Sequence, residues 1–176
     1  MPGILRLTLW AISVMPFVSV TGTLGATADI QAETQSVLNK AAKEVQVEIS
    51  LGQLAAQRAS NREVRDFGRQ MVEDHKKAGQ QVELLALKHG ITLSPGEDYD
   101  HHAKLEELSR LSGHAFDREY MNYSIRDHES ALEAFQRRAE TVQDQDIKQW
   151  INLLLPILEG HREKAHRVKY SLQTNP

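Results

Sequence analysis

Residues 60–90 read SNREVRDFGRQMVEDHKKAGQQVELLALKHG, and this stretch decides the fold class. Val64, Phe67, Met71, Ala78, Val82 and Leu85 recur at spacings of three, four and seven, which puts them on one stripe of a helix. Ser60-Asn61-Arg62-Glu63 fits a capping box, with the serine oxygen accepting an orphan N–H and the glutamate reaching back. The spacing predicts a helix that runs to His89, and Gly90 follows as its stop.

Working outward, residues from about Thr34 to Ala59 are rich in good helix formers. Leu38, Ala41, Val45, Ile49, Gly52 and Ala56 form its apolar seam, so the two helices are expected as a tight antiparallel hairpin. Residues 90–100 carry Ser94-Pro95-Gly96 and several acids, the chemistry of a crossover loop. A short helix is predicted over His101 to Leu111. It is followed by long ones over Ala115 to Thr141, with Phe116, Met121, Ile125, Leu132, Phe135 and Ala139 inward, and over Asp144 to Leu172. The last has Ile147, Trp150, Ile151, Leu154, Leu158, Ala165, Val168 and Leu172 inward, and Pro156 is expected to kink it or open its ladder. Helices of about 25 residues are about 38 Å long, and four of them with one long connection match an all-α, ferritin-like, up-down four-helix bundle with a short extra helix. No period of 20 to 50 residues repeats three times, so a helical array fits less well. A weaker echo relates Gln57-Arg58-Ala59 to Arg137-Arg138-Ala139, and His75 with Ala78 to His161 with Ala165, as if the two hairpins were related halves.

The amino-terminal residues have a different character. Residues 1–28 carry one charge, Arg6, then the apolar run Leu7 to Val18, then small residues ending Ala26-Thr27-Ala28, the layout of a cleaved secretory signal. The apolar run is shorter than a membrane span needs and Pro16 interrupts it. The expected division is therefore residues 1–28 as signal peptide, 29–35 as a flexible mature amino terminus and 36–172 as the bundle, exported to the periplasm or the outer membrane. With 21 Lys and Arg against 24 Asp and Glu, the formal charge of −3 offers no basic field for nucleic acid. There is no cysteine, so disulfides, thiolate metal sites and cysteine nucleophiles are excluded. No glycine-rich phosphate loop and no nucleophile turn is present, and no catalytic residue is assigned.

Chemistry enters where the seams turn polar. Each long helix carries one ionisable residue within its apolar stripe: Glu48, His75, His128 and His161. Three imidazoles and a carboxylate supply four donors suited to zinc, iron or manganese, and bundle sites draw ligands from facing helices in this way. Glu44, one turn from Glu48, and Asp74 and Asp127, each preceding a seam histidine, are placed to orient the ligands. Tyr120, two turns before His128, fits either a donor to a buried acid or a core-edge tyrosine with its hydroxyl in water, the commoner arrangement. The same residues also fit a metal-free reading, in which a hydrogen-bonded polar layer fixes helix register and the bundle binds an envelope partner or stabilises an assembly. A standard di-iron site is disfavoured. The single Glu-x-x-His match, Glu163 with His166, points away from the seam. His101-His102 beside Asp98 and Asp100 reads as a solvated turn.

The strings Glu48-Ile49-Ser50-Leu51-Gly52-Gln53-Leu54-Ala55, Met71-Val72-Glu73-Asp74-His75, Phe116-Asp117-Arg118-Glu119-Tyr120 followed by His128, and Pro156 followed by His161 together resemble the exported bacterial family called domain of unknown function 4142. The resemblance covers about residues 36 to 170. It implies a ferritin-like bundle in the periplasm or at the outer membrane, with recurring polar positions at Glu48, Asp74, His75, Asp117, Tyr120, His128 and His161, and it assigns no activity. Asp117 joins the candidate supporting residues on this ground. Gly160 stands where the first half has Asp74, so the halves are not equivalent.

Overall fold

A computed structural model of the chain describes residues 21–94 and 99–174. Those residues form five helices and no strand: α1 (Thr21–Arg58), α2 (Arg62–Lys88), α3 (Tyr99–Ser109), α4 (Gly113–Thr141) and α5 (Gln145–Thr174). Among them no helix is long and apolar enough to cross a membrane. The first twenty residues of the expected signal, most of the Ser94-Pro95-Gly96 turn and the His101 side chain lie outside the described residues.

α1 packs along α2, and α4 along α5. Both pairs are antiparallel. In the first, Gln31 donates to the His89 carbonyl at 2.8 Å, Val45 lies against Gly79 and Gly52 meets Gly68. In the second, Phe135 stands edge-on to Trp150 at 5.8 Å and His128 edge-on to His161 at 5.4 Å. The two hairpins touch through α2 with α5 and α1 with α4. At the α1–α2 crossing a Cβ on either Gly52 or Gly68 would lie 2.8 Å from the other residue's carbonyl oxygen, so the missing side chains set how closely the helices approach.

Burial follows the predicted stripes on α2, α4 and α5, where Phe67, Met71, Phe116, Met121, Ile147 and Ile151 are fully covered. On α1 the stripe is rotated. Leu51 and Ala55 are fully buried, whereas Val45, Ile49 and Ala56 are only partly covered. Both sets are apolar at helical spacing, and contact with α2 at Gly52 selects between them.

Two local expectations are corrected. α1 starts well before Thr34, and the expected flexible residues 29–35 are helical, because Thr34 is buried and Glu33 accepts from Arg138 at 3.0 Å. The capping box does not form. Asn61 caps α2, accepting from the N–H of Glu63 at 2.8 Å and of Val64 at 3.4 Å. Ser60 turns to Asp117 on α4, and Glu63 accepts from Ser171 instead of reaching back. Pro156 sits inside α5 without ending it. The stop at Gly90 holds, with φ 64° and the Ile91 N–H returning to the Ala86 carbonyl at 2.8 Å.

The core falls into two apolar clusters. One contains Leu51, Phe67, Met71, Phe116, Tyr120 and Val168; the other contains Leu38, Val82, Leu132, Ile147, Trp150 and Leu158. Each long helix contributes one buried ionisable residue to a shared polar layer: Glu48, His75, His128 and His161.

Candidate metal centre

The antiparallel registers bring the four seam residues to one level. Glu48 lies one turn before Gly52 on α1 and His75 one turn after Met71 on α2, so the glycine crossing places them across from one another. The three imidazoles form a compact triangle with ring centroids 5.4, 5.6 and 6.0 Å apart. One nitrogen from each of His75, His128 and His161 lies within 4.8 Å of the other two.

Each ring has committed one N–H outward. His75 Nδ1 donates to the Met71 carbonyl and His128 Nδ1 to the Ser124 carbonyl, both at 2.9 Å, one turn back on their own helices. His161 Nε2 donates across to Asp74 Oδ2 at 3.1 Å. These bonds fix the tautomers, leaving Nε2 of His75 and His128 and Nδ1 of His161 as lone-pair nitrogens. His128 Nε2 and His161 Nδ1 are buried and have no hydrogen-bond partner.

Burial depresses all three imidazole pKa values. That of His75 falls to about 4, with a contribution from the neighbouring His161. That of His128 falls to about 3, through burial and then its two imidazole neighbours, while burial at His161 outweighs the opposing hydrogen bond to Asp74. At neutral pH the triangle is uncharged and nucleophilic toward a cation. Burial works to raise the Asp74 carboxyl, but the hydrogen bonds from His161, Gln70 and Lys77 prevail and hold it below its ordinary range.

Glu48 does not join the triangle at the same distance. Its carboxylate groups with Asp127 and His128, again within 4.8 Å, so the expected four-donor set is two adjoining sets that share His128. Glu48 is 2% exposed and neither of its oxygens has a hydrogen-bond partner. Burial, and then the facing Asp127 carboxyl, push the Glu48 pKa well above its ordinary value, and burial raises that of Asp127. Two carboxylates can hydrogen-bond to one another only by sharing a proton.

The supporting residues divide. Asp74 orients His161, the histidine of the other hairpin and not its sequence neighbour His75. Asp127 faces Glu48 and accepts from the Tyr123 hydroxyl at 3.3 Å. Glu44 lines the same cavity as Glu48 and Asp127, a space of about 50 Å³ whose other walls include His75, His128 and Trp150. Asp117 belongs elsewhere: it accepts from the N–H of Ser60 at 2.9 Å and of Asn61 at 2.8 Å, neutralising the amino end of α2. Tyr120 stacks with Phe116 in the apolar cluster, and its buried hydroxyl has no hydrogen-bond partner. Glu163 and His166 are exposed, paired with Arg167 and Glu129.

One grouping escaped the sequence. His89 lies 3.4 Å from Asp144 and 3.6 Å from Asp146. Asp144 caps α5 through the N–H of Asp146 and Ile147, and Lys88 holds Asp146 at 2.6 Å, so its acids are already matched with donors. Neither segment signals the other in sequence, since each reads as a helix end.

The model of the family described as "Domain of unknown function (DUF4142)" matches residues 20–168, and the chain belongs to that family. No curated protein and no solved structure matches it.

Proposed function

We propose that this chain is an exported, ferritin-like four-helix bundle that holds one transition-metal ion, with zinc, iron or manganese as the candidate metals, on His75, His128 and His161, beside the carboxylate of Glu48. The observation that carries this reading is the direction of the hydrogen bonds. Each ring N–H is committed to a carbonyl or carboxylate oxygen, and the free nitrogens of His128 and His161 are buried with no donor to meet them, so acceptors are left beside acceptors. A layer serving register alone would alternate donors and acceptors. A cation satisfies all of them at once, and three neutral imidazoles with an adjoining carboxylate are a common donor set for these metals. The proposed role is metal handling or envelope stress, by analogy of fold alone.

Export is proposed from the apolar run after Arg6 and the Ala26-Thr27-Ala28 site. Cleavage after Ala26 or Ala28 removes the start of α1 and keeps the Glu33 and Thr34 contacts. Amino-terminal sequencing of protein recovered from the periplasm tests it. The competing reading, a metal-free bundle that binds an envelope partner, is favoured by one feature: a proton shared between Glu48 and Asp127 satisfies part of the layer without a metal.

Elemental analysis of untagged protein separates the two readings. About one equivalent of metal in the wild type and none in His75→Ala/His161→Ala is expected. No metal in either, after reconstitution with zinc, iron and manganese, leaves the metal-free bundle.

A further inference from the structure

We infer that the Glu44, Glu48 and Asp127 carboxyls form a second, oxygen-only cation position beside the three histidines. The inference rests on the reading above for the neighbouring nitrogen site. His128 has one free nitrogen, because its Nδ1 is committed to the Ser124 carbonyl. The two adjoining donor sets both draw on His128, and its single free lone pair serves one ion. An ion on the histidine triangle therefore leaves the acids as a separate set.

Those acids are placed where an anion is costly. Glu48 is almost wholly buried and neither of its oxygens accepts a hydrogen bond from an N–H or hydroxyl donor, so it faces the Asp127 carboxyl with no donor to offset its charge. Glu44, one turn earlier on α1, lines the same small cavity. The Tyr123 hydroxyl holds Asp127 from outside, as an outer partner of a ligating carboxylate does.

Access is present too. A cleft of about 140 Å³ between α1 and α4, lined by Lys40 and Arg138 as well as by acids, shares Glu44, Asp127, Ala131 and Phe135 with the inner cavity, so carboxylates border the passage where the two spaces meet. The inner space admits about three water-sized groups, enough to complete the shell of an ion held by few side chains. Carboxylate and water oxygens select hard divalent ions such as Mg²⁺ or Mn²⁺, whereas the imidazoles select zinc or iron. The two positions differ in metal, and Glu48 lies between them.

The test loads the full mature chain with one equivalent of Zn²⁺, then titrates Mn²⁺, following bound manganese by electron paramagnetic resonance and by elemental analysis. Wild type is expected to bind one manganese beside the zinc. Asp127→Asn should keep its zinc and bind manganese at least tenfold more weakly, and Glu44→Gln, at the less buried rim, should weaken it in the same direction should Asp127→Asn fail to fold. Zinc binding without manganese binding, or manganese bound equally well by folded Asp127→Asn, overturns the second position and leaves the histidine site standing. Titrating the metal-free protein separates the opposite case. Manganese bound by wild type, lost in Asp127→Asn and unaccompanied by any zinc site keeps the acid position and removes the reading on which the histidine ion rests.

Discussion

The glycine crossing of α1 and α2 sets both the stability of the hairpin and the level at which Glu48 meets His75, so Gly68→Ala should damage both. The added Cβ would lie 2.8 Å from the Gly52 carbonyl oxygen and 2.9 Å from both the Ala55 Cβ and the Ala56 backbone nitrogen. None of these is the end of a flexible side chain, so the helices must move apart. Overpacking of this kind costs about 1–3 kcal/mol, and the higher helix propensity of alanine returns about 1 kcal/mol. With rigid neighbours the upper part of the range applies, for a net loss of about 2 kcal/mol and a fall in Tm of about 4–8 °C. Gly160→Ala is the matched control, since nothing lies within 4 Å of its Cβ position. It should raise Tm by about 2–4 °C through propensity alone. Thermal unfolding of the metal-free protein by circular dichroism measures both changes, and a zinc competition titration should show roughly tenfold weaker binding for Gly68→Ala alone, because ligands displaced by about half an ångström lose their geometry. A Gly68→Ala protein as stable as wild type, with Gly160→Ala behaving as described, would refute the account of the crossing.

Three further outcomes are expected. In the metal-free protein the unfolded chain titrates His75 near 6.5 and the folded chain near 4, so the unfolded state binds more protons in that window and stability falls as pH drops through it, by roughly 3 kcal/mol for this residue. Glu48 and Asp127, with raised pKa values, act in the opposite sense, so the variant isolates the term: His75→Asn should flatten the dependence of the urea midpoint on pH between 4 and 6.5, and an unchanged slope contradicts the assignment. Asp117→Ala strips the acceptor from Ser60 and Asn61 and should cost about 3 kcal/mol in urea unfolding while zinc stoichiometry stays at the wild-type value; loss of zinc from folded protein would place Asp117 in the site after all. Asp74→Ala frees the His161 ring and should weaken zinc binding about 10–100-fold, with stability changed by no more than about 1 kcal/mol; unaltered affinity would remove Asp74 from the orienting role.

The helices were legible because apolar residues at intervals of three and four do not suit any other element over such lengths, and Gly90 marked a true stop. Rotation about a helix axis was harder. On α1 both the Ile49 and Leu51 stripes satisfy the period, and only the close approach at Gly52 decides between them. Ser60 shows a similar limit. A capping box is a local pattern, and Asp117, distant in sequence and adjacent in space, offers Ser60 a charged acceptor that the box cannot match. Glu48, His75, His128 and His161 could be named from sequence because an ionisable residue inside an apolar stripe must be buried whichever helix faces it. Their division into two sets could not, since it depends on side-chain reach across three helices.

That division also explains why the polar layer is tolerable. A folded domain is stable by only about 5–15 kcal/mol, and each buried acceptor left without a donor forfeits roughly 1–3 kcal/mol. Here two imidazole nitrogens and both Glu48 oxygens stand in that condition, between two apolar clusters that would otherwise merge into one core. Positive charge relieves all of them, as protons or as metal ions. Protons suit the acids, whose pKa values rise, and do not suit the imidazoles, whose values fall to about 4 for His75 and about 3 for His128. Burial therefore favours bare lone pairs on the imidazoles and a proton held by the acids.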